Sequence, residues 1–412
     1  MIVAIVAQHA DELAGLWNTR RVLSTGGHTG LRTLGVLDER IAAHLDGCVV
    51  AGEEGLRLLQ DQAIDPNAST AFALGAAALD MEAHSAFEHA VEIAELAPRS
   101  SEGLASALGW VASTRLVGVV QKLLDAQSPT CRSLGLAACR MHGVNPGVTL
   151  DAALGDSRAE VVVEGLRLVA AIGAMDAFPA VRSLVEHEDP TVAMHAAAAA
   201  VLLGDRTGAL DRLRTAVTNG LTRREVLELT VQGGDVASAR SLLSDLTRRQ
   251  TAIRQVIIGT GASGDARYIP WLIARMREVK HGRVAGEAFS TITGVDLLDR
   301  LDRSPPEDFG SDGDEDPDAA NVAMDEDDGL PWPDVERVAH SWQANGSRLQ
   351  VGTRYFMGAP VTREHCIDVL KNGYQRQRML AAHYLCLLNP GTPLFNTSAP
   401  AWRQQRLLSE MK

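Results

Sequence analysis

A chain of 412 residues, 46% of them hydrophobic, is long enough for two or three compact domains or one elongated array. Its formal net charge of −13 is concentrated, because the stretch from Asp302 to Asp328 holds twelve acidic residues and one arginine and leaves only −2 for the rest. No basic stripe that could displace counterions from phosphate is evident, so the charge pattern argues against nucleic acid as a partner. Arginine pairs such as Arg223-Arg224 are interpreted as solvated helix faces.

The five cysteines form no CxxC pair, which favours a reducing compartment with buried, inert thiols. No apolar run approaches the roughly 18 residues that a membrane helix needs. The first ten residues lack the basic start of a signal peptide and are followed by Asp11-Glu12. We therefore expect a cytoplasmic protein with no membrane partner.

Residues 1–60 are predicted to form an N-terminal helical cap outside the clean repeat. The stretch 34–47 has leucine or isoleucine at spacings of three and four, which predicts a helix with one apolar face. Asp38 and Arg40 are expected on or near its polar side. His44, close to the helix end, is either a hydrogen-bonded histidine or part of a site whose partner the sequence does not locate.

Residues 61–300 are predicted to form a series of two-helix repeats. In each repeat an apolar, Ala-rich helix ends on a glycine, a second amphipathic helix follows, and a short polar break comes next. Self-similarity at a period of about 30 residues is typical of stacked two-helix repeats. The glycines that close the clearest first helices lie 30 or 31 residues apart: Gly143, Gly173, Gly204, Gly234, Gly264 and Gly294.

Glycine is favoured at these helix ends because it adopts the left-handed backbone at low cost, and an aspartate just beyond can cap the next helix. An aromatic content of only 4% puts the apolar weight in Ala, Leu and Val, which suits many short helices. Neither helix of a repeat can bury its apolar stripe alone, so stacking must supply one continuous core. The pattern looks like HEAT repeats, in particular the short bacterial kind related to phycobilin-lyase repeats. The predicted fold class is all-α: an armadillo-like α-solenoid of HEAT-like repeats with helical caps.

Two further segments follow the repeats. Residues 301–330 are expected to be an acidic, flexible insert, because high charge with Pro, Gly and few apolar residues cannot offset the entropy of ordering. Residues 331–412 are predicted to add one more helical layer and a cap. Within them, the stretch 352–358 fits either a short strand or an extended turn.

Three motifs invite a chemical interpretation. The stretch 259–264 (GTGASG) follows an apolar run, as a dinucleotide-binding loop does, but the repeat already requires Gly264 and no second strand with a terminal acid follows. The segment 312–323 resembles a calcium loop without its glycine at position six or its glutamate at position twelve. His383 and Cys386 are neighbours on a helix, although their apolar surroundings favour a packed thiol. We predict no catalytic residues, no cofactor and no metal.

Aromatic residues are scarce and concentrate in the second half of the chain, where they are the better functional lead. Aromatic residues anchor many binding hot spots, although tryptophan also fills the cores between repeats. Together with polar residues of the stretch 34–47 and Arg354, they form the set of candidate partner-binding residues. The set is Asp38, Arg40, His44, Trp271, Trp332, Trp342, Arg354 and Tyr355.

Several stretches together resemble an uncharacterised family of proteobacterial HEAT-repeat proteins often encoded near type VI secretion genes. They are LGVLDERIAAHLDG (34–47), AGEAFSTITGVDL (285–297), the acidic insert leading to GLPWP (329–333), GTRYFMG (352–358) and RQR (376–378). The family offers no catalytic residues to carry over. The resemblance implies an interaction role, as an adaptor or accessory to secreted effectors or spike components. Cys48 departs from the pattern, which has an aliphatic residue at this place.

The leading hypothesis is a non-enzymatic scaffold or adaptor that binds a protein partner of unknown identity. One alternative is an enzyme or cofactor-handling protein of the lyase-like HEAT type, with a pocket around Asp38, Arg40 and His44. Another is an immunity-like protein that neutralises a toxin.

Overall fold

Helices make up most of the chain, as the predicted all-α class requires. The computed structural model describes residues 2–220, 223–248, 253–306 and 325–411, and these ranges hold twenty-two α-helices and four two-residue strands. No helix in the described ranges has the length and apolar character needed to cross a bilayer. The helices are α1 (Val3–Leu23), α2 (Leu31–Val50), α3 (Glu53–Gln62), α4 (Ala68–Asp80), α5 (His84–Leu96), α6 (Ser101–Trp110), α7 (Val119–Leu124), α8 (Pro129–His142), α9 (Val148–Leu154), α10 (Ala159–Ile172), α11 (Phe178–Ser183), α12 (Pro190–Leu202), α13 (Gly208–Thr218), α14 (Arg224–Gly233), α15 (Val236–Thr247), α16 (Ile253–Ser263), α17 (Ile269–Arg275), α18 (Gly282–Thr293), α19 (Val335–Asn345), α20 (Arg363–Asn372), α21 (Gln375–Leu388) and α22 (Ala401–Glu410).

The chain folds as two compact units. Unit one consists of Met1–Thr25, Thr29–Gly204 and Asn389–Met411, and unit two of Gly26–His28 and Asp205–Leu388. The boundary at Gly204 lies inside the segment 61–300 that the sequence assigns to the repeats. The last helix, α22, belongs to unit one together with α1 to α12.

Unit one is a series of packed helices in which each even-numbered helix from α4 to α10 packs on the next even-numbered helix. Helix α4 packs on α6, α6 on α8, α8 on α10 and α10 on α12, while α1 and α2 pack on each other and on α4. Small residues permit close approach: a Cβ added at Gly75 of α4 would lie 2.6 Å from the Leu104 side chain of α6. The Ala-rich composition therefore serves helix-to-helix contact, as the low aromatic content suggested.

Unit two continues the same local pattern. Helix α14 packs on α16 and α16 on α18, while α21 packs on both α14 and α20. Two short antiparallel pairs complete it: β1 (Asp302–Arg303) with β2 (Trp332–Pro333), and β3 (Tyr355–Phe356) with β4 (Ala359–Pro360). The stretch 352–358 thus contains the first strand of a tight hairpin, which resolves the alternative left by the sequence.

The six glycines predicted to close first helices all lie at or just beyond a helix end. Five of them have a positive φ, between 64° and 110°, in the region where a Cβ is unfavourable. Gly234 is the exception, since its backbone is extended at φ −88° and ψ 170°. The predicted left-handed conformation is wrong at Gly234, because α14 includes Gly233 and the chain then continues in an extended conformation to Asp235. Asp235 caps α15 by accepting from the Ser238 backbone N–H at 2.7 Å.

The structure describes one of the two loop motifs considered in the sequence, the glycine-rich stretch 259–264, and not the calcium-like segment. The stretch 256–258 lies inside helix α16, so the glycines of 259–264 belong to the end of a helix and follow no strand. Residues 307–324, which include most of the acidic insert and the calcium-like segment 312–323, lie outside the described residues.

The two ends of the insert meet, because β1 pairs with β2 and the Asp334 N–H donates to the Leu301 carbonyl at 2.7 Å.

Candidate functional site

Asp38 lies on the buried face of α2, so its predicted place on or near the polar side is wrong. The side chain is only 1% exposed and accepts from Arg20, with the Arg20 Nη2 to Asp38 Oδ2 distance at 3.3 Å. Asp38 Oδ2 also accepts from the Ala401 N–H at 2.5 Å, at the start of α22. Asp38 thus ties three helices of unit one together.

Arg40 and His44 have different surroundings from Asp38. Arg40 is exposed, and half-buried His44 places its Nδ1 3.2 Å from Nδ1 of His9 on α1. Burial, followed by the nearby His9 ring, lowers the pKa of His44. Asp38 and His44 of the alternative enzymatic pocket therefore have separate partners, and Arg40 faces solvent.

The aromatic candidates divide between buried and half-buried positions. Trp332 is 7% exposed, and the Arg283 guanidinium lies 4.9 Å from its ring centroid. Trp271 is half-buried with Arg275 at 5.8 Å from its ring, and half-buried Trp342 packs over Gly346. Trp271 and Trp342 keep part of their surface open to solvent.

Arg354 and Tyr355 connect the β3–β4 hairpin to the helix ends of unit two. Arg354 donates to the carbonyls of Val231 and Gln232 at 3.1 and 2.7 Å, near the end of α14, and to the Ser263 carbonyl at 3.2 Å. Tyr355 is buried, and its N–H donates to the Gly264 carbonyl at 2.8 Å. Both residues satisfy carbonyls that helix termini would leave unpaired.

A cluster of four arginines in unit two forms a different candidate site. Arg224 begins α14, Arg254 is the second residue of α16, and Arg283 is the second residue of α18, so they follow one another at 30 and 29 residues. Arg376 on α21 is the fourth. We call these four residues the arginine cluster. Their repeat spacing is visible in the sequence, yet the pair Arg223-Arg224 reads there as a solvated face, which is wrong for Arg224.

Arg224 and Arg376 hold a buried carboxylate between them. Glu287 of α18 accepts from Arg224 Nη2 at 2.8 Å and from Arg376 Nη1 at 3.1 Å through both of its oxygens. Arg224 Nε also donates to buried Glu228 at 2.8 Å. Burial alone would raise the pKa of Glu287, but the charges of Arg224 and Arg376 outweigh it and lower that pKa. Glu287 is therefore ionised at neutral pH.

The other two arginines, together with Arg376, bind an acidic segment, residues 325–330 (DEDDGL), at the end of the insert. Arg254 Nη1 and Nη2 donate to the two carboxylate oxygens of Asp327 at 2.8 and 2.6 Å. Arg283 Nη1 donates to the Asp327 carbonyl at 2.9 Å and also pairs with the Asp325 carboxylate. Arg376 Nη2 donates to the Glu326 carbonyl at 2.5 Å. Planar guanidinium groups suit such two-point contacts to carboxylates.

The acidic segment ends in an apolar anchor. Leu330 is 6% exposed, and a Cβ added to Gly27 would lie 2.3 Å from its Cδ2 atom. Gly329 precedes it with φ 78°, a conformation that favours glycine. The segment thus contacts α16, α18 and α21 through carboxylates and two backbone carbonyls, and it contacts Gly27 through one leucine side chain.

A cleft of about 290 Å³ opens beside Leu330. In it the Tyr374 hydroxyl donates to Asp296 at 2.9 Å, and the His28 ring lies 3.8 Å from the Tyr374 ring between centroids. Burial lowers the pKa of His28 in spite of Asp296, and burial, helped by Asp296, raises the pKa of Tyr374 to about 12. No sequence pattern pointed to this cleft, because its residues come from distant parts of the chain.

His383 and Cys386 of α21 are both buried, as the packed-thiol interpretation requires. His383 Nδ1 lies 3.1 Å from the Gln232 side-chain oxygen, and burial lowers the pKa of His383 to about 4. Burial also raises the pKa of Cys386 to about 12. Within the described ranges, no three His, Cys, Asp or Glu side chains come together as a metal-binding group.

Comparison with known proteins gives no relative on which to draw: no protein family, curated protein or solved structure matches the chain.

Proposed function

We propose that this chain is a protein-interaction scaffold whose helices form HEAT-like repeats of an α-solenoid, and that the arginine cluster binds an acidic segment of a protein. The single observation that carries the proposal is the occupied cluster. Arg254 and Arg283, which recur at the repeat spacing, and Arg376 of α21 hold an acidic, non-helical segment of the chain through side-chain and backbone contacts.

The repeat spacing supports a binding role because stacked repeats present equivalent positions side by side. Each repeat contacts mainly its neighbours, so a residue type kept at one position forms a continuous row. Arg224, Arg254 and Arg283 occupy such positions on α14, α16 and α18. A row of this kind suits an extended ligand that runs across several helices.

Stability alone is a weak explanation for the cluster. Taking charges out of water costs several kcal/mol per ion, and apolar replacements of buried ion pairs are often equally stable. Asp327 is 3% exposed and Glu287 8% exposed, so both carboxylates carry that cost. A role in binding a negatively charged segment explains why arginines occupy these positions.

The biological setting of the proposal comes from the family resemblance. A scaffold that holds an acidic protein segment fits an adaptor for effectors or spike components of type VI secretion. The partner would bind the arginine cluster of unit two, and the rest of the chain would present or position it.

A binding titration tests the proposed function. The full chain carrying Asp325→Asn and Asp327→Asn has a weakened internal ligand, and a fluorescein-labelled acidic decapeptide is titrated into it at 50 and 300 mM salt. We expect binding at low salt that weakens at high salt and is lost with Arg254→Gln added. The matched control Arg277→Gln removes an exposed arginine paired with Glu336 and should leave binding unchanged. Equal binding to the Arg254→Gln variant would contradict the proposal.

A further inference from the structure

We infer that the acidic segment 325–330 is an exchangeable internal ligand, and that the partner carries the same motif: two acidic residues two apart, with a leucine three residues after the second. The inference rests on the proposed function and names the partner's recognition sequence. The occupant to which it commits is a protein segment supplied by another protein.

The backbone contacts fix the register of the segment. The carbonyl of Glu326 accepts from Arg376, and the carbonyl of Asp327 accepts from Arg283. With these two carbonyls in place, Asp325 brings its carboxylate to Arg283, and Asp327, which is buried, and Glu326, which is exposed, bring theirs to Arg254. An acidic peptide with its charges elsewhere loses either the carbonyl contacts or the carboxylate contacts.

The leucine supplies a contact that does not depend on charge. Leu330 packs directly over Gly27, where any side chain would overlap with it. No left-handed φ is found at Gly27, so alanine there is acceptable to the backbone; its Cβ would lie 2.3 Å from the Leu330 side chain and 3.1 Å from Nη1 of Arg376. Alanine at Gly27 therefore acts mainly on the leucine contact and adds a smaller overlap with Arg376.

The segment has few anchors, which makes exchange feasible. Asp327 and Leu330 are the two buried residues between 325 and 330, whereas Asp325, Glu326, Asp328 and Gly329 are exposed. The pairing of β1 with β2 holds both ends of the insert together independently of the arginine contacts. The segment can leave the cluster without separating these two strands.

The internal segment competes with any partner because it is tethered. A tethered ligand acts at an effective concentration in the millimolar range for a short linker, so a partner must bind well to displace it. The apparent affinity for a partner equals its intrinsic affinity multiplied by the fraction of molecules whose cluster is vacant. Weakening the internal segment should therefore raise the apparent affinity for the same sequence added in trans.

The test uses the full chain and a labelled peptide of residues 325–334 (DEDDGLPWPD), with fluorescence anisotropy as the readout. The Asp325→Asn/Asp327→Asn variant should bind it at least about tenfold more tightly than the unaltered chain. A scrambled peptide of the same composition should bind about tenfold more weakly, since it loses the carbonyl register and the leucine contact. Adding Gly27→Ala should weaken binding of the native peptide by a larger factor than binding of its Leu→Ala version, because only the overlap with Arg376 is common to both peptides.

Each outcome decides between the two proposals. If the scrambled and native peptides bind equally and salt weakens both, the motif is wrong and the general acidic-segment function stands. If neither peptide binds a folded variant, verified by its far-ultraviolet circular dichroism, both proposals fail. If light scattering shows that the chain forms dimers which the peptide dissociates, the occupant is a second copy, and a separate partner protein is excluded.

Discussion

Arg254 donates two hydrogen bonds to Asp327, 73 residues further along the chain, with nitrogen-to-oxygen distances of 2.8 and 2.6 Å. The pair fastens the end of the acidic insert to helix α16. The hydrogen bonds that Arg254 donates to Asp327, together with the charge of Asp327, outweigh burial and raise the pKa of Arg254. Because Asp327 is almost fully buried, removing Arg254 alone would leave a buried charge without its main partner.

Removing Arg254 alone should destabilise unit two. Arg254→Gln leaves the Asp327 carboxylate buried without its main partner, and we expect a loss of about 2–3 kcal/mol, below the value for fully buried pairs because Arg254 is partly exposed. Urea unfolding followed by circular dichroism measures the change. The double variant Arg254→Gln/Asp327→Asn should recover part of the loss, whereas Arg277→Gln should shift stability by less than about 0.5 kcal/mol. A double variant no more stable than the single one would contradict this assignment.

Stability should fall in mild acid because of His383. Its pKa is about 4 in the folded chain and about 6.5 when exposed, so the unfolded chain binds the proton first. The contribution is complete above pH 6.5 and is lost progressively as the pH falls towards 4, by about 3 kcal/mol in total. Asparagine can donate from the position of Nδ1 to Gln232 and does not titrate. We expect the difference in urea midpoint between the unaltered chain and His383→Asn to change between pH 7.5 and 5.0; a constant difference would refute the assignment.

Two glycines with the same backbone conformation should respond differently to alanine. Gly143 and Gly264 have φ of 68° and 66°, but a Cβ at Gly143 meets nothing within 4 Å, while one at Gly264 would lie 2.1 Å from the Tyr355 carbonyl oxygen. Gly143→Ala should cost about 1 kcal/mol through backbone strain alone. Gly264→Ala must also displace the β3–β4 hairpin and should cost at least about 2 kcal/mol more. Thermal unfolding of the two variants compares them, and equal losses would show that the hairpin contact has no energetic weight.

The five thiols should react slowly in the folded chain. All of them are buried, and burial raises the pKa of Cys48 to about 11 and of Cys366 to about 12. Because the thiolate is the reactive form, the thiolate population of Cys366 at pH 8 is lowered by about a thousandfold. Ellman's reagent should label all five cysteines in denaturant and label them far more slowly in native buffer. Rapid native labelling of several thiols would be inconsistent with the packing described here.

Local chemistry explains which features the sequence predicted correctly. The helix ends at Gly143, Gly173 and Gly294 follow from glycine's tolerance of positive φ, and the start of α15 follows from Asp235, whose side chain accepts from the Ser238 N–H. These preferences act within a few residues and leave a readable pattern. They predicted where these helices end; at Gly234 only the left-handed conformation is wrong, because the chain continues extended there.

Long-range partners explain what the sequence did not predict. Arg224 is the same residue type as its exposed neighbour Arg223, and only folding brings it to Glu287, which lies 63 residues later in the sequence. Asp38 lies in a polar run of α2, yet Arg20 and the start of α22 make its burial favourable. The repeat spacing of the arginines was present in the sequence, but a spacing alone does not show whether the face is solvated or occupied.

Hydrogen exchange of the acidic segment tests the central claim most directly. The Leu330 N–H donates to the Asp327 carbonyl at 3.0 Å, so amide exchange in 325–331 reports on whether the segment occupies the cluster. The full chain is followed by mass spectrometry while unlabelled peptide 325–334 is added in increasing amounts, with α8 of unit one as the internal reference. We predict saturable acceleration of exchange in 325–331 and none in α8. Unchanged exchange in the segment at a peptide concentration that saturates binding would show that the arginine cluster does not exchange its ligand.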